Sequence, residues 1–312
     1  MKFFAAVLGP TATGKSALGL ALAERFRGEI VNCDSTAVYR GFDIGTDKLG
    51  ADQRRGIPHH LIDIAHPTDE YTAAQYARDA AAVIRDIDRR GSLAIVVGGT
   101  GFYYRALTRG LFPGPGKDAA LRARLDSIAE RRGPASLHRM LARVDPASAA
   151  RVQQRDVKRM VRALEVYFLT GRPLTAHFAE TVAPLPEFDV LPLGVRLSPA
   201  QIAERVARRV DEQFERGLLD EMRGLLARGI PESARPFGGL VYRQALEHLH
   251  GVRDLPSTRA LITQENRRYA RRQLIWFRKE PNLLWIDGPG DAPSAVAAAS
   301  RLIEQRQGQP SA

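Results

Sequence analysis

The apolar positions of this chain come in short, dense runs set between longer stretches of helical spacing. Phe3-Phe4-Ala5-Ala6-Val7-Leu8 is unbroken and brief, which suits a strand covered on both faces. Ala17-Leu18-Gly19-Leu20-Ala21-Leu22-Ala23 follows with helical composition, and Gly28 to Asp34 reads as a second strand ending in a carboxylate. Pro58-His59-His60-Leu61-Ile62-Asp63 is a short extended piece. From Tyr71 to Arg90 apolar residues recur at 74, 76, 77, 80, 81, 83, 84 and 87, an amphipathic helix that Gly91 ends. Leu93-Ala94-Ile95-Val96-Val97 is the clearest buried strand; it runs into Gly98-Gly99-Thr100-Gly101 and a new helix. This alternation predicts a parallel sheet flanked by helices.

The pattern changes near Pro113-Gly114-Pro115-Gly116, a linker by composition. Residues 117–180 show no strand pattern and predict helices at Ala119–Glu130, Ser136–Arg143 and Val157–Thr170. Val190 to Val195 regains strand character. Helices are then expected after it, at Gly217–Arg228, from about Pro236, and at Thr263–Lys279. Leu283–Ile286 reads as a last strand and Ala292–Arg306 as a last helix. The fold class that results is α/β, a P-loop NTPase-like parallel sheet with an all-helical insertion. The divisions are 1–115 and 186–312 for the two parts of the core, and 116–185 for the insertion.

Length and composition narrow the possibilities. The 312 residues suffice for a substantial core, and no apolar run approaches the ~20 residues of a membrane span. The first strand begins too early for a signal peptide, and the single Cys33 excludes an internal disulfide and a cysteine-rich zinc site. A cytoplasmic location is expected. The formal net charge of +11, from 46 Lys and Arg against 35 Asp and Glu, suits a polyanionic partner. An Arg-rich proteome would give the same balance, so composition alone leaves nucleic acid open.

Candidate chemistry centres on Gly9-Pro10-Thr11-Ala12-Thr13-Gly14-Lys15-Ser16, which fits G-x-x-x-x-G-K-[ST] between a strand and a helix. Its backbone N–H groups and the helix N-terminus suit phosphate, Lys15 adds a point charge, and Ser16 offers a hydroxyl to Mg²⁺. Asp34 and Thr100 each follow the carboxyl end of a strand and are expected at the same crevice, although Asp before Ser-Thr also serves as a turn cap. Arg205 and Arg209, four apart, form a plausible diphosphate clamp or a solvated face. Arg155, Arg159 and Arg162 are expected on one helical face, suited to phosphate-backbone contacts. Residues 117–180 carry 13 Lys and Arg against 7 Asp and Glu. Arg267, Arg268, Arg271 and Arg272 interleave with Tyr269, Trp276 and Phe277, a mixture compatible with RNA or with an ordinary amphipathic helix. His59 and His60 are read as packing or hydrogen-bonding residues, since neighbours on a strand face opposite ways.

Together these pieces resemble the bacterial tRNA dimethylallyltransferases, the tRNA isopentenyltransferase or IPP transferase family, nearly end to end. The marks are the loop at 9–16, Asp34-Ser35, Tyr39 to Thr46, Pro58 to Asp63, and Val97-Gly98-Gly99-Thr100-Gly101. Arg162-Ala163-Leu164-Glu165-Val166, Tyr242-Arg243 and Arg271-Arg272-Gln273 complete them. The resemblance implies transfer of a dimethylallyl group from dimethylallyl diphosphate to N6 of adenosine 37 of tRNA, so that the loop at 9–16 holds an allylic diphosphate and not ATP. It implies Asp34 as base, Thr100 in the reaction channel, and Lys15, Arg209 and Mg²⁺ on Ser16 at the leaving group. It carries tRNA contacts onto Asp34, Ser35, Thr36, Ala37, Thr100, Arg122, Lys158, Arg159, Met160, Val161, Arg162 and the segment 238–243, with Tyr242 and Arg243. A monomer is expected. Ala37 stands where many relatives have Gln, and Gly238 and Val241 depart from an Arg-x-x-Gly-Tyr-Arg pattern, which puts RNA contacts there in doubt. A P-loop small-molecule kinase, an isopentenyltransferase acting on free adenine nucleotides, and an RNA-binding protein with a relic loop are the competing readings. The long basic insertion and intact Lys15, Ser16, Asp34 and Thr100 count against them.

Overall fold

The computed structural model describes residues 2–308. Contacts divide it into two compact units, one of residues 2–108 with 184–308 and one of 109–183. The first unit opens with β1 (Phe3–Leu8), α1 (Lys15–Phe26), β2 (Gly28–Asn32), β3 (His59–His60), α2 (Ala73–Arg89), β4 (Leu93–Gly98) and α3 (Gly101–Arg109). α2 starts where a Thr72–Gln75 capping box satisfies its first N–H groups, two residues inside the expected start at Tyr71.

The second unit, taken by itself, is helical throughout: α4 (Ala119–Arg132), α5 (Pro134–Val144), α6 (Pro146–Arg151), α7 (Val157–Thr170) and α8 (Leu174–His177). Leu125, Leu137, Leu141, Met160, Val161 and Leu164 form its core. Its first residue precedes the Pro-Gly stretch because entering and leaving chains run side by side. A Cβ on Gly110 would lie 2.0 Å from the Val182 carbonyl oxygen. Arg155 falls outside α7, because the Asp156 side chain accepts from the Arg159 N–H and caps the helix there. The expected three-arginine face therefore loses its first member.

The chain then returns to the first unit with β5 (Asp189–Arg196), α9 (Pro199–Glu215), α10 (Leu218–Ala227), α11 (Leu240–Leu249), α12 (Leu255–Phe277), β6 (Leu284–Asp287) and α13 (Pro293–Gln307). α12 begins well before Thr263, because Asp254 accepts from the Ser257 N–H and Pro256 occupies the first turn. Among the described residues no helix is long and apolar enough to cross a membrane.

The six strands form one sheet in the order β3-β2-β4-β1-β5-β6, every pair parallel. Leu8 sits opposite Gly98 of β4 and Gly194 of β5, so β1 and β4 end level while β5 runs on to Arg196. The chain leaves β1 toward β2 and later crosses to β5 on the other side, which opens a crevice at the carboxyl edge. Val7, Leu18, Leu22, Ile95, Leu193, Ile286, Ala299 and Ile303 pack α1 and α13 against the sheet. Full burial stabilises each large aliphatic side chain by roughly 1.5–3 kcal/mol, enough to hold the strand ends in register.

Candidate active site

The loop after β1 is shaped by its own sequence. Gly14 adopts φ 85° as the N-cap of α1, where a side chain would also meet the Gly290 N–H at 2.9 Å. The buried Thr13 hydroxyl donates to the Pro10 carbonyl at 2.9 Å, and the Thr13 carbonyl accepts the Gly290 N–H at 2.8 Å. Lys15 lines the crevice and donates to the Pro10 carbonyl at 2.5 Å. Desolvation, with Arg209 as a neighbouring positive charge, pulls the Lys15 ammonium down to about 7, against the opposing pull of Asp34. Ser16 lines the crevice beside it.

Arg209 reaches the same crevice from α9. It donates to the Thr11 hydroxyl at 2.5 Å and pairs with the Asp47 carboxylate. Desolvation lowers it to about 10, so it stays charged at neutral pH. Arg205 takes a different position from the expected clamp. Its guanidinium donates to the Ala12 carbonyl at 2.9 Å and to Asp291 at 2.9 Å. Both bonds hold the loop; Arg205 is not among the residues lining the crevice, but together with Arg209, Ala12 and Gly14 it lines a second concavity beside the loop.

Across the crevice stands Asp34. One carboxylate oxygen accepts from the Thr36 N–H at 2.8 Å, the Thr36 hydroxyl at 2.6 Å and the Ala37 N–H at 3.4 Å. Asp34 thus caps its own turn, as its sequence context allowed, and also lines the crevice. Thr100 braces that turn: its hydroxyl accepts the Ser35 N–H at 3.0 Å and donates to the Ser35 hydroxyl at 3.4 Å. The crevice wall there is Gly98 and Gly99, with Thr100 turned to the Asp34 loop. Cys33, behind the turn, is pushed up to about 12 by burial and has no nucleophilic role.

Three further residues join the site: Gln273 and Tyr269, which the sequence placed only in a basic stretch without a role at the crevice, and Asp47, which it did not single out. Gln273 of α12 accepts the Thr11 N–H and donates to the Gly99 carbonyl, both at 2.8 Å. Tyr269, one turn earlier, lines the crevice; burial first and the Asp34 charge second push its phenol up to about 12. Asp47 anchors Arg209 and lies 3.6 Å from Arg216. Among the described residues no group of three His, Cys, Asp or Glu side chains could hold a metal ion. His60 instead bonds Glu29 at 2.6 Å and His59 the Ile57 carbonyl at 2.8 Å, as packing residues do.

The residues expected at RNA divide by exposure. Lys158 and Arg159 stand on the surface of the helical unit, whereas Met160 and Val161 are buried in its core and offer no side chain to a partner. The helical period explains the correction, since consecutive positions on α7 cannot all face outward. Arg122 and Arg162 both bind Glu165, a fully buried carboxylate. Arg122 donates to it at 2.7 and 2.8 Å, Arg162 at 2.6 Å, and the Asp118 N–H at 2.9 Å. Tyr242 is likewise buried; its phenol accepts the Gly45 N–H at 3.0 Å and donates to Glu221 at 2.7 Å, fastening the loop after Phe42. Arg243 is exposed and pairs with Glu265 at 3.0 Å. Ala37 is buried at the crevice wall.

A family model described as IPP transferase matches residues 37–280. The chain is 47% identical over 304 residues to a tRNA dimethylallyltransferase of Solibacter usitatus, covering 97% of this chain and 99% of that protein. Over 292 residues it is 47% identical to one of Geobacter metallireducens, covering 93% and 94%. Among solved structures, the full-length tRNA isopentenylpyrophosphate transferase of Bacillus halodurans aligns with a TM-score of 0.71 at 33% identity, covering 98% and 99% of the two chains. A eukaryotic dimethylallyltransferase, described as acting on tRNA, aligns with a TM-score of 0.81 at 27% identity, covering 99% of this chain and 81% of that one.

Proposed function

We propose, since this chain belongs to the IPP transferase family, that it transfers a dimethylallyl group from dimethylallyl diphosphate to N6 of adenosine 37 of tRNA, beside the anticodon. The observation that carries this reading is the convergence of Lys15, Asp34 and Arg209 on one crevice at the sheet's carboxyl edge. Two cations there face a carboxylate, which is what an allylic substitution needs. The allylic C–O bond breaks with negative charge growing on the diphosphate, and Lys15 and Arg209 are placed to stabilise that charge. The attacking amine is poorly basic and loses a proton as the C–N bond forms. The Asp34 oxygen not used in its turn cap is the acceptor we assign to that proton. Thr100 positions this turn through Ser35.

Ser16 would hold a Mg²⁺ at the diphosphate leaving group. Ser16 lines the crevice next to Lys15, and Mg²⁺ commonly takes one or two protein oxygens beside phosphates and waters. When bound, the ion supplies Lewis-acid neutralisation of the leaving group. Lys158 and Arg159 are the surface charges best suited to tRNA phosphates. Since Lys15, Asp34, Arg209 and Gln273 all come from one unit of one chain, we take a monomer to be sufficient, working in the cytoplasm with its tRNA. Incubation with labelled dimethylallyl diphosphate and unmodified tRNA, against ATP with small alcohols, tests the reading. Label in the RNA is expected; ATP consumption with unlabelled RNA would overturn it.

A further inference from the structure

The loop after Phe42 gives the crevice part of its wall, through Thr46, Asp47 and Lys48. Polar contacts set its place. Lys48 is the most enclosed of them, with a side chain only 3% exposed. Its ammonium donates to the Tyr39 carbonyl at 2.5 Å, to an Asp43 oxygen at 2.8 Å and to an Asp63 oxygen at 2.5 Å. An ammonium has three N–H bonds, so this one is fully used. Its acceptors lie in three segments: the chain leaving the Asp34 turn, the start of the loop, and the stretch after β3. A buried charge is tolerated where it is paired in this way, which makes Lys48 a fixed point for all three.

Asp47, its neighbour, needs such a point. It adopts φ 50°, a left-handed conformation that a residue with a side chain keeps only where its surroundings impose it. The Asp47 N–H donates to the Ile44 carbonyl at 3.1 Å and the Lys48 N–H to the Asp43 carbonyl at 3.0 Å, so the turn closes on the residue that Lys48 grips. From this turn the Asp47 carboxylate meets α9, pairing with Arg209 and lying 3.6 Å from Arg216.

We propose that Lys48 is a positioning residue for the transfer step: its ammonium fixes the 43–48 turn, the turn fixes Asp47, and Asp47 aims Arg209 at the diphosphate. The inference rests on the transfer reading above and adds a residue to it. Lys48 borders the crevice, yet its N–H bonds are spent on the protein and none is left for a phosphate. It acts through Arg209. Charge grows on the diphosphate as the allylic bond breaks, so a donor held in place gains more in the transition state than in the bound ground state. Displacing Arg209 therefore costs rate more than affinity.

The test uses the full chain, dimethylallyl diphosphate, an anticodon stem-loop RNA and, as a binding probe, inorganic diphosphate. Lys48→Met keeps an unbranched side chain and removes the ammonium. It is expected to lower the single-turnover rate by about ten- to a hundredfold, with the Kd for inorganic diphosphate raised by less than about tenfold and the KM for RNA within about threefold. In an Arg209→Gln background the same substitution is expected to change rate and Kd by less than about threefold, because the group it positions is gone. A lysine that only supports the fold would cost the same in both backgrounds. Equal losses, or an unchanged rate in Lys48→Met, overturn the proposal. Should Lys48→Met not fold, Asp43→Ala decides, since that side chain is 53% exposed and its loss removes one of the three acceptors. A rate lowered by about three- to tenfold with Arg209 present, and unchanged without it, supports the proposal; an unchanged rate in both overturns it. If the unaltered protein leaves the RNA unlabelled, the transfer reading fails first and takes this one with it. Labelling by the parent with an indifferent Lys48→Met removes this inference alone.

Discussion

Thr11 and Gln273, 262 positions apart in the chain, are joined by a 2.8 Å hydrogen bond from the Thr11 backbone N–H to the Gln273 side-chain oxygen. The same amide group donates to the Gly99 carbonyl at 2.8 Å, so one buried side chain spans the crevice. On one side lies the loop assigned to the leaving group; on the other lies the turn that carries Thr100 toward Asp34. Reaction geometry depends on the distance between these lips, and an error near 1 Å can cost on the order of a hundredfold.

Gln273→Ala is therefore expected to lower the single-turnover rate by about ten- to a hundredfold, with a smaller effect on affinity for either substrate. It leaves a buried N–H and a buried carbonyl without partners, which destabilises the fold by about 1–3 kcal/mol in urea titration. Gly99→Ala should behave alike, because its Cβ would stand 2.4 Å from the Gln273 nitrogen. A variant that unfolds at lower urea yet keeps its full rate would show the strap to be structural only.

Asp34 has two tasks, and two substitutions separate them. Asp34→Asn keeps an oxygen for the Thr36 and Ala37 N–H groups but removes the basic carboxylate. The expected result is a loss of about 10²–10⁴ in kcat with tRNA binding within a few-fold. Asp34→Ala removes both functions, so it should abolish transfer and also loosen the turn, visible as faster amide exchange at Thr36. Undiminished turnover in either variant would remove Asp34 as the base.

Lys15, held down to about 7, should take up a proton when a diphosphate binds. The bound anion favours the charged ammonium and draws its pKa back toward 10.5, the ordinary value. Between these limits the free protein holds the lysine neutral and the complex holds it charged. Calorimetry of diphosphate binding at pH 8.5, in buffers of differing ionisation enthalpy, is expected to show uptake of up to one proton. At pH 6 both states are charged and the uptake should vanish, and Lys15→Met should remove it at either pH. No uptake at pH 8.5 would mean that the ammonium never meets the anion.

These expectations draw on two kinds of information, and only one is local. The loop at 9–16, Asp34 and Thr100 were legible because strand, turn and helix chemistry there is set by neighbours in sequence. Much of the sheet was legible for the same reason: β1 and β4 are short apolar runs that lead into glycines and a helix start, whereas β3 is only His59–His60. Gln273 and Asp47 were not, since their roles exist only once α12 and the loop after Phe42 fold back over β1. Arg205 and Arg209 share one helical spacing yet differ in target, because the Ala12 carbonyl intercepts the first. The helical period alone turns Met160 and Val161 inward, whereas the resemblance carries 158–162 over as one contiguous segment.

The helical unit offers the last contrast, between arginines that hold it together and those that are free to leave it. Glu165 is fully buried, and burial alone would raise its pKa; hydrogen bonds from Arg122, Arg162 and the Asp118 N–H reverse this and hold it at about 2. Its carboxylate therefore favours the fold above the ordinary carboxylate pKa near 4.5, and that contribution is lost as pH falls from there to about 2. Breaking this cluster by Arg122→Gln or Arg162→Gln leaves a buried charge underpartnered, so each is expected to cost about 3–5 kcal/mol in urea titration at pH 7. Among the described residues Lys158 and Arg159 have no such partner in the core; Arg159 is 74% exposed and pairs with its own N-cap Asp156 at 3.3 Å. Lys158→Gln and Arg159→Gln should each leave stability within about 0.5 kcal/mol and lower the salt slope of tRNA binding by about one. Equal salt slopes in all four variants, with equal stabilities, would erase the distinction between structural and RNA-facing arginines.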